Sequence, residues 1–340
     1  MSAPVLAAER LGIAFERGSE RIHALEEVDI QLHRGATLAI VGESGSGKTT
    51  LALALLGAHR PTRGRVLFRG RDVWEARGAG LKSLRRAVQM VLQDPYSSLD
   101  PRWRVGEIIA EPLLAQGLAT RRDARHRVTA WLERVGLPGD AARRMPAEFS
   151  GGQRQRIAIA RALAIDPEIV VADEPVSALD VSIQAQIVNL LLELQRESGV
   201  GYAIISHDLA LVGQVADRVA VMYLGRIVEE GSAAQIVTHP AHPYTAALVS
   251  AVPQIEIERR RARIVLSGEP PSPLAPPPGC AFHTRCAHAT ERCRVELPRL
   301  EAAGSEHRVA CWNPLSDAAD LRVPPADPAK GHRMVTPANS

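Results

Sequence analysis

The sequence of 340 residues contains no long apolar run. A membrane-spanning helix needs about 20 consecutive apolar residues, and the apolar run Leu51–Ala58 is far shorter. The residues before Glu9 carry neither a basic segment nor a long apolar core, so they do not resemble a secretory signal peptide. We therefore expect the chain to stay in the cytosol, where thiols are mostly reduced.

A strong excess of charge of one sign is also absent. Lysine and arginine total 41 against 38 acidic residues, a net charge of +3, which is too small to indicate nucleic acid binding by itself. The 26 glycines and 24 prolines are too few and too aperiodic for a collagen-like chain. At roughly 150 residues per domain, the length predicts about two globular units.

Lysine is scarce, since the 41 basic residues include only Lys48, Lys82 and Lys330. Chance or skewed codon usage is one explanation. The other is that position 48 requires a compact ammonium group, which a planar guanidinium does not replace.

The distribution of apolar residues predicts an α/β fold with a mostly parallel sheet. Helical segments separate four apolar strands, an order typical of a parallel sheet that is covered on both faces. The predicted strands are Thr37–Val41, Ile169–Ala172, Ala203–Ser206 and Val219–Tyr223. Residues 1–40 indicate an N-terminal antiparallel β-subdomain, and residues from about 94 to 150 indicate an inserted helical subdomain.

The composition changes after His239, where proline becomes frequent and the cysteines follow. We expect a nucleotide-binding domain over residues 1–238 and a linker with a Pro-rich segment over 239–275. A small cysteine-containing domain is expected over 276–314. Residues 315–340 show no periodicity and are expected to form a flexible tail.

Residues 42–49 match the phosphate-loop pattern G-x-x-x-x-G-K-[ST] between a predicted strand and a predicted helix. Backbone N–H groups of such a loop surround an anion at the helix N-terminus, while Lys48 contacts the β- and γ-phosphates and Thr49 binds Mg²⁺. The alternative is an ordinary Gly-rich turn. The predicted ATP contacts here are Gly42, Glu43, Ser44, Gly45, Ser46, Gly47, Lys48, Thr49 and Thr50.

Two further segments carry residue types suited to phosphate chemistry. The strand Ile169–Ala172 ends in Asp173, which we expect to hold Mg²⁺, and Glu174, which we expect to polarise water; a solvated acidic turn is the alternative. Ser150, Gly151, Gly152 and Gln153 begin a predicted helix and form a candidate second anion site.

Together these motifs resemble the ATP-binding subunits of ABC transporters. Phe149–Gln153 is similar to the LSGGQ signature of that family, with phenylalanine in place of leucine. The resemblance assigns Gln93 to the Q-loop, Asp180 to the D-loop and His207 to the switch histidine. It also places Phe15 where the family has an aromatic residue that stacks on adenine. The simpler alternative for Phe15 is a core phenylalanine, and for His207 it is an ordinary half-buried histidine.

The resemblance implies that two such subunits close head to tail around ATP. Ser150, Gly151, Gly152 and Gln153 of one subunit would then meet the phosphates held by Lys48 of the other, with Asp180 at the interface. Glu174, His207 and Gln93 are the implied catalytic residues. Gln93 would also join Thr49 and Asp173 around Mg²⁺.

A narrower resemblance is to the oligopeptide and dipeptide importers. Gln93–Arg102 is similar to their QDP-x-x-SLNPR segment, and His239–Thr245 and Pro277–Cys280 match as well. The details are most like the second of the two paired ATPases of that family. This implies a heterodimer with a homologous ATPase, two membrane permease subunits and an extracytoplasmic solute-binding protein. The chain would lie peripherally on the cytoplasmic face of the inner membrane, with Tyr96–Arg102 and the helices that follow receiving a permease helix.

The four cysteines, Cys280, Cys286, Cys293 and Cys311, all lie in the last part of the chain. In a cytosolic chain such a group favours metal binding over disulfides, and no pair has the C-x₂-C spacing of common zinc sites. Four thiolates suit an iron–sulfur cluster or Zn²⁺, and the resemblance favours the cluster. Free thiols stay an alternative, as does a mixed zinc site that uses His283, His288 or His307.

Two other function classes share parts of this pattern. Some DNA-repair ATPases combine the same core with zinc modules, but they carry two cassettes and their cysteines interrupt the core, so we expect no nucleic acid partner. A regulatory ATP sensor would lack hydrolytic residues, and none is missing here.

Overall fold

The computed structural model describes residues 3–18, 20–94, 96, 98–252, 264–266 and 268–316. The predicted tail lies outside the described residues from position 317 onward. None of the helices in the described ranges is long and apolar enough to cross a membrane.

The described strands and helices alternate along most of the chain. The strands are β1 (Leu6–Arg17), β2 (Glu20–Leu32), β3 (Thr37–Val41), β4 (Arg63–Phe68), β5 (Arg71–Asp72), β6 (Val88–Val91), β7 (Ile169–Asp173), β8 (Gly201–Ser206), β9 (Arg218–Tyr223), β10 (Arg226–Ser232), β11 (Glu301–Gly304) and β12 (His307–Val309). The helices are α1 (Lys48–Leu55), α2 (Ala79–Ala87), α3 (Val105–Ala115), α4 (Arg121–Arg134), α5 (Gly151–Leu163), α6 (Val181–Ser198), α7 (Leu209–Val215), α8 (Ala233–Thr238), α9 (Pro243–Ser250) and α10 (Glu291–Val295).

Two sheets organise the fold. The first has the order β2-β1-β4-β5 and is antiparallel throughout, which confirms the predicted N-terminal β-subdomain. The second has the order β11-β12-β10-β9-β3-β8-β7-β6. Its strands β9, β3, β8, β7 and β6 pair in parallel, and β10, β12 and β11 extend it as an antiparallel edge.

The parallel strands form the centre of the core. Every residue of β3, β7 and β8 is buried, because helices cover both faces of the sheet. This confirms the predicted α/β class. Strand β6 was not among the predicted strands. It has only four residues, and they follow an Arg-rich segment that the sequence predicts to be helical.

The inserted helical subdomain contains α3 and α4, two short 3₁₀-helices (Gly139–Arg143 and Pro146–Glu148) and the start of α5. Its buried side chains come from one face of each helix, and they include Ile109, Leu113, Val128 and Leu132. Thr120 begins α4 with a capping box, in which its hydroxyl accepts from the N–H of Asp123.

The structure differs from the predicted linker in the described part of 239–275; residues 253–263 and 267 lie outside the described residues. Helix α9 is packed in the core, and Tyr244 and Thr245 within it are fully buried. The cysteine-bearing segment is joined to the main sheet as well, because β12 pairs with β10. Within the described residues the change of composition after His239 therefore does not mark a break in packing, and a separate cysteine-containing domain is not confirmed.

A buried carboxylate connects these C-terminal elements. Glu229 of β10 is fully buried and accepts hydrogen bonds from the backbone N–H groups of Ala241 (2.7 Å) and His242 (2.9 Å). Nε2 of His307, on β12, lies 2.8 Å from the same carboxylate. Three groups from two segments thus satisfy one buried charge, which such a charge requires.

Candidate nucleotide-binding site

The phosphate loop connects β3 to α1, as the sequence predicts. Gly47, which precedes α1, adopts φ 101°, a left-handed conformation that glycine tolerates best. A Cβ at this position would lie only 2.6 Å from the carbonyl oxygen of Ala24. The loop geometry therefore requires glycine here for two independent reasons.

Lys48 is buried beneath this loop. Its Nζ donates hydrogen bonds to the carbonyl oxygens of Gly42 and Glu43, both at 2.8 Å, and lies 3.4 Å from Oγ of Ser46. Burial lowers the pKa of Lys48, while the carboxylates of Glu174 and Asp173 oppose that shift. The ammonium group is therefore held at the loop by short contacts rather than extended into solvent.

Asp173 and Thr49 lie together below the loop. Burial raises the pKa of Asp173, and a hydrogen bond from the Thr49 side chain acts in the opposite direction. A carboxylate and a hydroxyl oxygen are ligand types that Mg²⁺ prefers. Two of the three predicted Mg²⁺ residues are thus side by side, and their chemistry fits the ion.

Glu174 is the centre of a three-residue cluster. Nε2 of Gln93 donates to its Oε2 at 2.9 Å, and Nδ1 of His207 lies 3.2 Å from its Oε1. Glu174 itself has φ 43°, an uncommon backbone conformation for a non-glycine residue that often occurs at functional sites. The three side chains follow β6, β7 and β8, whose carboxyl ends meet at one edge of the parallel sheet.

These residues share one cavity of about 710 Å³. Its lining contains Lys48, Gln93, Glu174 and His207, and it also includes Ser44, Gly45, Gly47, Thr49 and Thr50 of the phosphate loop and following helix. The volume lies within the range of small-molecule sites. The cavity thus brings the three predicted catalytic residues together with six of the predicted phosphate-binding residues. Its described lining does not include Gly42, Glu43, Ser46 or Asp173.

The signature segment lies elsewhere. Ser150 caps α5, and its hydroxyl accepts from the N–H of Gln153. Ideal Cβ positions on Gly151 and Gly152 would lie 3.4 Å from Leu179 and 2.6 Å from Ile183, so the segment packs against the start of α6. Among the described residues that line the cavity, Ser150–Gln153 and the α6 N-cap Asp180 do not appear.

Phe15 also lies outside the cavity lining among the residues described. The residue is 38% exposed, and its ring meets the ring of His59 edge-on at 5.3 Å. Ile22, the partner of Phe15 in the β1–β2 hairpin, does line the cavity.

Sequence reasoning missed the contribution of the C-terminal residues. Pro276, Pro277, Gly279, Ala281 and Leu297 line the cavity, although the sequence separates them widely from the phosphate loop. Arg285 forms an ion pair with Glu43 of that loop. The segments around Tyr244 and Pro277 are recognisable in the sequence as motifs similar to those of the family. No pattern in the sequence indicates, however, that they lie beside the phosphate loop.

The four cysteines are all free thiols in the C-terminal region. The N–H of Cys280 donates to the carbonyl oxygen of Cys293 at 2.8 Å. Burial raises the pKa of Cys286 to about 11 and of Cys311 to about 12, and neighbouring cysteines add to both shifts. Within the described ranges, no three or more His, Cys, Asp or Glu side chains are arranged to hold a metal ion. The geometry therefore does not support the predicted iron–sulfur cluster or the zinc alternative.

Comparison with known proteins adds independent evidence. A family model described as ABC transporter matches residues 25–177, and one described as oligopeptide/dipeptide transporter, C-terminal region, matches residues 228–293. The dipeptide transport ATP-binding protein DppF of Haemophilus influenzae is 50% identical over 295 residues, which cover 86% of this chain and 90% of that protein. The oligopeptide transport ATP-binding protein AppF of Bacillus subtilis is 48% identical over 300 residues, covering 87% and 91%.

Solved structures share the fold. The dimeric structure of the ATP-binding cassette MJ0796 in a post-hydrolysis state, bound to ADP and Pi, matches with a TM-score of 0.61 and 29% identity. The match covers 67% of this chain and 98% of that one. On the sequence matches and the site geometry together, the chain belongs to the family of ATP-binding subunits of oligopeptide/dipeptide ABC transporters.

Proposed function

We propose that this chain is the ATPase that powers import of di- or oligopeptides through an ABC transporter. The observation that carries the proposal is the contact of Gln93 and His207 with the two carboxylate oxygens of Glu174, in the cavity that holds Lys48. The relatives named as dipeptide and oligopeptide transport proteins support peptides as the solute class.

Each residue of the proposed site then has a distinct task. Lys48 and the N–H groups of the phosphate loop bind the β- and γ-phosphates. Glu174 orients the attacking water and accepts its proton, and His207 holds the Glu174 carboxylate in place. Thr49, Asp173 and Gln93 would hold Mg²⁺, which neutralises charge on the phosphates when bound. Phe15 stays our prediction for the residue that stacks on adenine.

The site is completed by a second subunit in this proposal. Ser150, Gly151, Gly152 and Gln153 lie apart from the cavity of their own chain, as expected if they serve the cavity of a partner. Asp180 at the start of α6 would lie at the same interface. The dimeric state of the cassette MJ0796 supports such pairing, and we propose a homologous but distinct ATPase as the partner.

A groove in the helical subdomain is our proposed docking site for a permease helix. It has a volume of about 1420 Å³ and lies between α3 and α4. Trp103 and Leu114 in its lining are 43% and 39% exposed, so the groove offers apolar surface that a permease helix could cover. Two permease subunits and an extracytoplasmic binding protein would complete the transporter, and the chain would lie peripherally on the cytoplasmic face of the membrane.

We further propose that Cys280, Cys286, Cys293 and Cys311 bind one iron–sulfur cluster, with Zn²⁺ as the alternative. The proposal rests on the confinement of all four thiols to one segment, where the backbone N–H of Cys280 donates to the carbonyl oxygen of Cys293 at 2.8 Å. It does not rest on the arrangement of the side chains, which forms no metal site within the described residues. Protein purified without oxygen should contain iron and acid-labile sulfide, and Cys286→Ser should lower both. Stoichiometric zinc without iron would exclude the cluster, and metal-free protein would exclude both metals.

The functional test uses the chain co-expressed with two candidate permease subunits and a homologous second ATPase, reconstituted in lipid. Di- and tripeptides delivered with the binding protein should stimulate ATP hydrolysis, and Glu174→Gln in this chain should remove the stimulation. An ATPase that responds to DNA but not to any peptide would contradict the proposal.

A further inference from the structure

The C-terminal lobe, defined here as residues 268–316, contacts the phosphate loop directly. The guanidinium of Arg285 donates two hydrogen bonds to the carboxylate of Glu43, from Nη1 to Oε2 at 2.8 Å and from Nη2 to Oε1 at 3.2 Å. The two residues are 242 positions apart in the sequence. Glu43 is the second residue of the phosphate loop, so this ion pair joins the lobe to the proposed ATP site.

Glu43 is held at three points. Its carboxylate is bound by Arg285, its backbone N–H donates to the hydroxyl oxygen of Tyr244 at 2.8 Å, and its carbonyl oxygen accepts from Nζ of Lys48 at 2.8 Å. Glu43 therefore contacts Lys48 through its carbonyl oxygen and is itself held by the side chains of Arg285 and Tyr244. A shift of Arg285 would move the carbonyl oxygen that positions the lysine.

Arg285 is well placed to transmit such a shift because it is itself held rigidly. Its side chain is only 7% exposed. Its backbone N–H donates to the carbonyl oxygen of Phe282 at 3.0 Å. The Phe282 ring is buried against Tyr223 and Tyr244, with ring centroids 5.3 and 5.4 Å apart. A paired, hydrogen-bonded charge in such surroundings is costly to separate.

The same lobe also forms part of the cavity wall. Pro276, Pro277 and Ala281 line the cavity together with Lys48 and Glu174. The turn that carries Arg285 thus begins beside the space where nucleotide is proposed to bind. Two independent contacts, one with the loop and one with the cavity, connect the lobe to the site.

We propose that Arg285 is a positioning residue for ATP binding, which acts through Glu43 on the phosphate loop, so that nucleotide binding and the order of the turn Cys280–Cys286 stabilise each other. This inference rests on the proposed function of Lys48 and its loop as the ATP site. Coupling between two sites is reciprocal: a lobe that favours the bound loop is itself stabilised by ATP. No hydrolysis step is involved, because Arg285 touches Glu43 and not the cavity's catalytic cluster.

The test measures the affinity of the full-length chain for ATP, in EDTA so that no hydrolysis occurs. Arg285→Gln and Glu43→Gln should each weaken binding about five- to tenfold, at the lower end of typical coupling between sites. The double variant should bind ATP no more weakly than the single variants, since each single substitution already removes the same interaction.

Arg285→Lys should recover part of the affinity, as it keeps the charge but not the two-pronged geometry. Arg294→Gln, an exposed position of the same lobe, is the control and should bind as the unmodified chain does.

Hydrogen exchange gives a second readout that a general loss of stability would not reproduce. ATP should slow exchange of the amides from Cys280 to Cys286 in the unmodified chain, and this protection should be lost in Glu43→Gln, which leaves the lobe's sequence intact. Unchanged affinity in Arg285→Gln, additive effects in the double variant, or protection that persists in Glu43→Gln would each overturn the inference. Lys48→Ala separates the two proposals: if it binds ATP normally, the proposed ATP site is wrong, whereas weak binding by Lys48→Ala with normal binding by Arg285→Gln refutes only the coupling.

Discussion

Nδ1 of His207 lies 3.2 Å from Oε1 of Glu174, across the carboxyl ends of two adjacent parallel strands. Gln93, after the next strand, donates to the other oxygen of the same carboxylate. Because both oxygens are engaged, the plane of the Glu174 carboxylate is fixed. A water molecule bound to it would therefore meet an oriented base instead of a freely rotating one.

The variant Glu174→Gln should bind ATP normally but lose hydrolysis. The amide preserves the shape of the side chain but cannot accept a proton, and loss of a general base typically lowers the rate about 10²- to 10⁴-fold. Phosphate release under saturating ATP measures the effect. Glu193→Gln, an exposed glutamate of α6, is the matched control. Near-normal turnover by Glu174→Gln would remove Glu174 from the catalytic assignment.

The variant Lys48→Arg should lose both ATP binding and turnover although it keeps the positive charge. The buried Nζ makes two 2.8 Å contacts with carbonyl oxygens in a confined space, and a guanidinium is larger and planar. Lys82→Arg is the control, because Lys82 is exposed on α2. The measurement is the equilibrium affinity of the two variants for ATP. Tight binding by Lys48→Arg would show that the lysine is replaceable.

The local motifs were predictable because each depends on a short stretch of sequence. The phosphate loop needs Gly47 and Lys48 at fixed spacing, and Glu174 follows directly from the strand before it. The meeting of Gln93, Glu174 and His207 is also predictable once the strands are taken as parallel, since parallel strands bring their carboxyl ends to one edge.

The C-terminal arrangement could not be predicted in the same way. Proline-rich composition suggested a linker, but burial of Tyr244 depends on tertiary partners, Tyr223 and Phe282, that no local pattern identifies. The contact of Arg285 with Glu43 likewise joins residues from opposite ends of the chain. Long-range pairs of this kind are set by the complete fold and not by spacing.

Removal of the His307 side chain should destabilise the protein. In His307→Ala, the buried Glu229 carboxylate keeps its two backbone donors but loses the third, and an incompletely satisfied buried group costs about 1–3 kcal/mol. The free energy of unfolding from denaturant titration measures the loss. Arg308→Ala, the next residue on β12, removes a 3.6 Å ion pair with Glu230, which keeps Arg218 as a partner, and a 3.4 Å hydrogen bond to the carbonyl oxygen of Leu300. This substitution should change stability by less than about 1 kcal/mol. Equal effects of the two substitutions would show that the Glu229 contact contributes no special stability.

Charge reversal at Arg102 should weaken assembly with the permeases and leave ATP affinity largely unchanged. Arg102 lines the groove between α3 and α4, and it bonds only Asp100 within the described structure, through an exposed pair. In Arg102→Glu two like charges would face each other at the groove entrance, next to the exposed Trp103 that we expect to contact the permease helix. The ATP cavity is lined by other residues, so nucleotide binding should not change.

Arg127→Glu, an exposed position of α4 outside the groove lining, makes the same charge change and should assemble normally. Co-purification of each variant with the permeases, alongside ATP binding by the isolated chain, gives the answer. If Arg102→Glu and Trp103→Ala both assemble as well as Arg127→Glu, the permease contacts a different surface of the subunit.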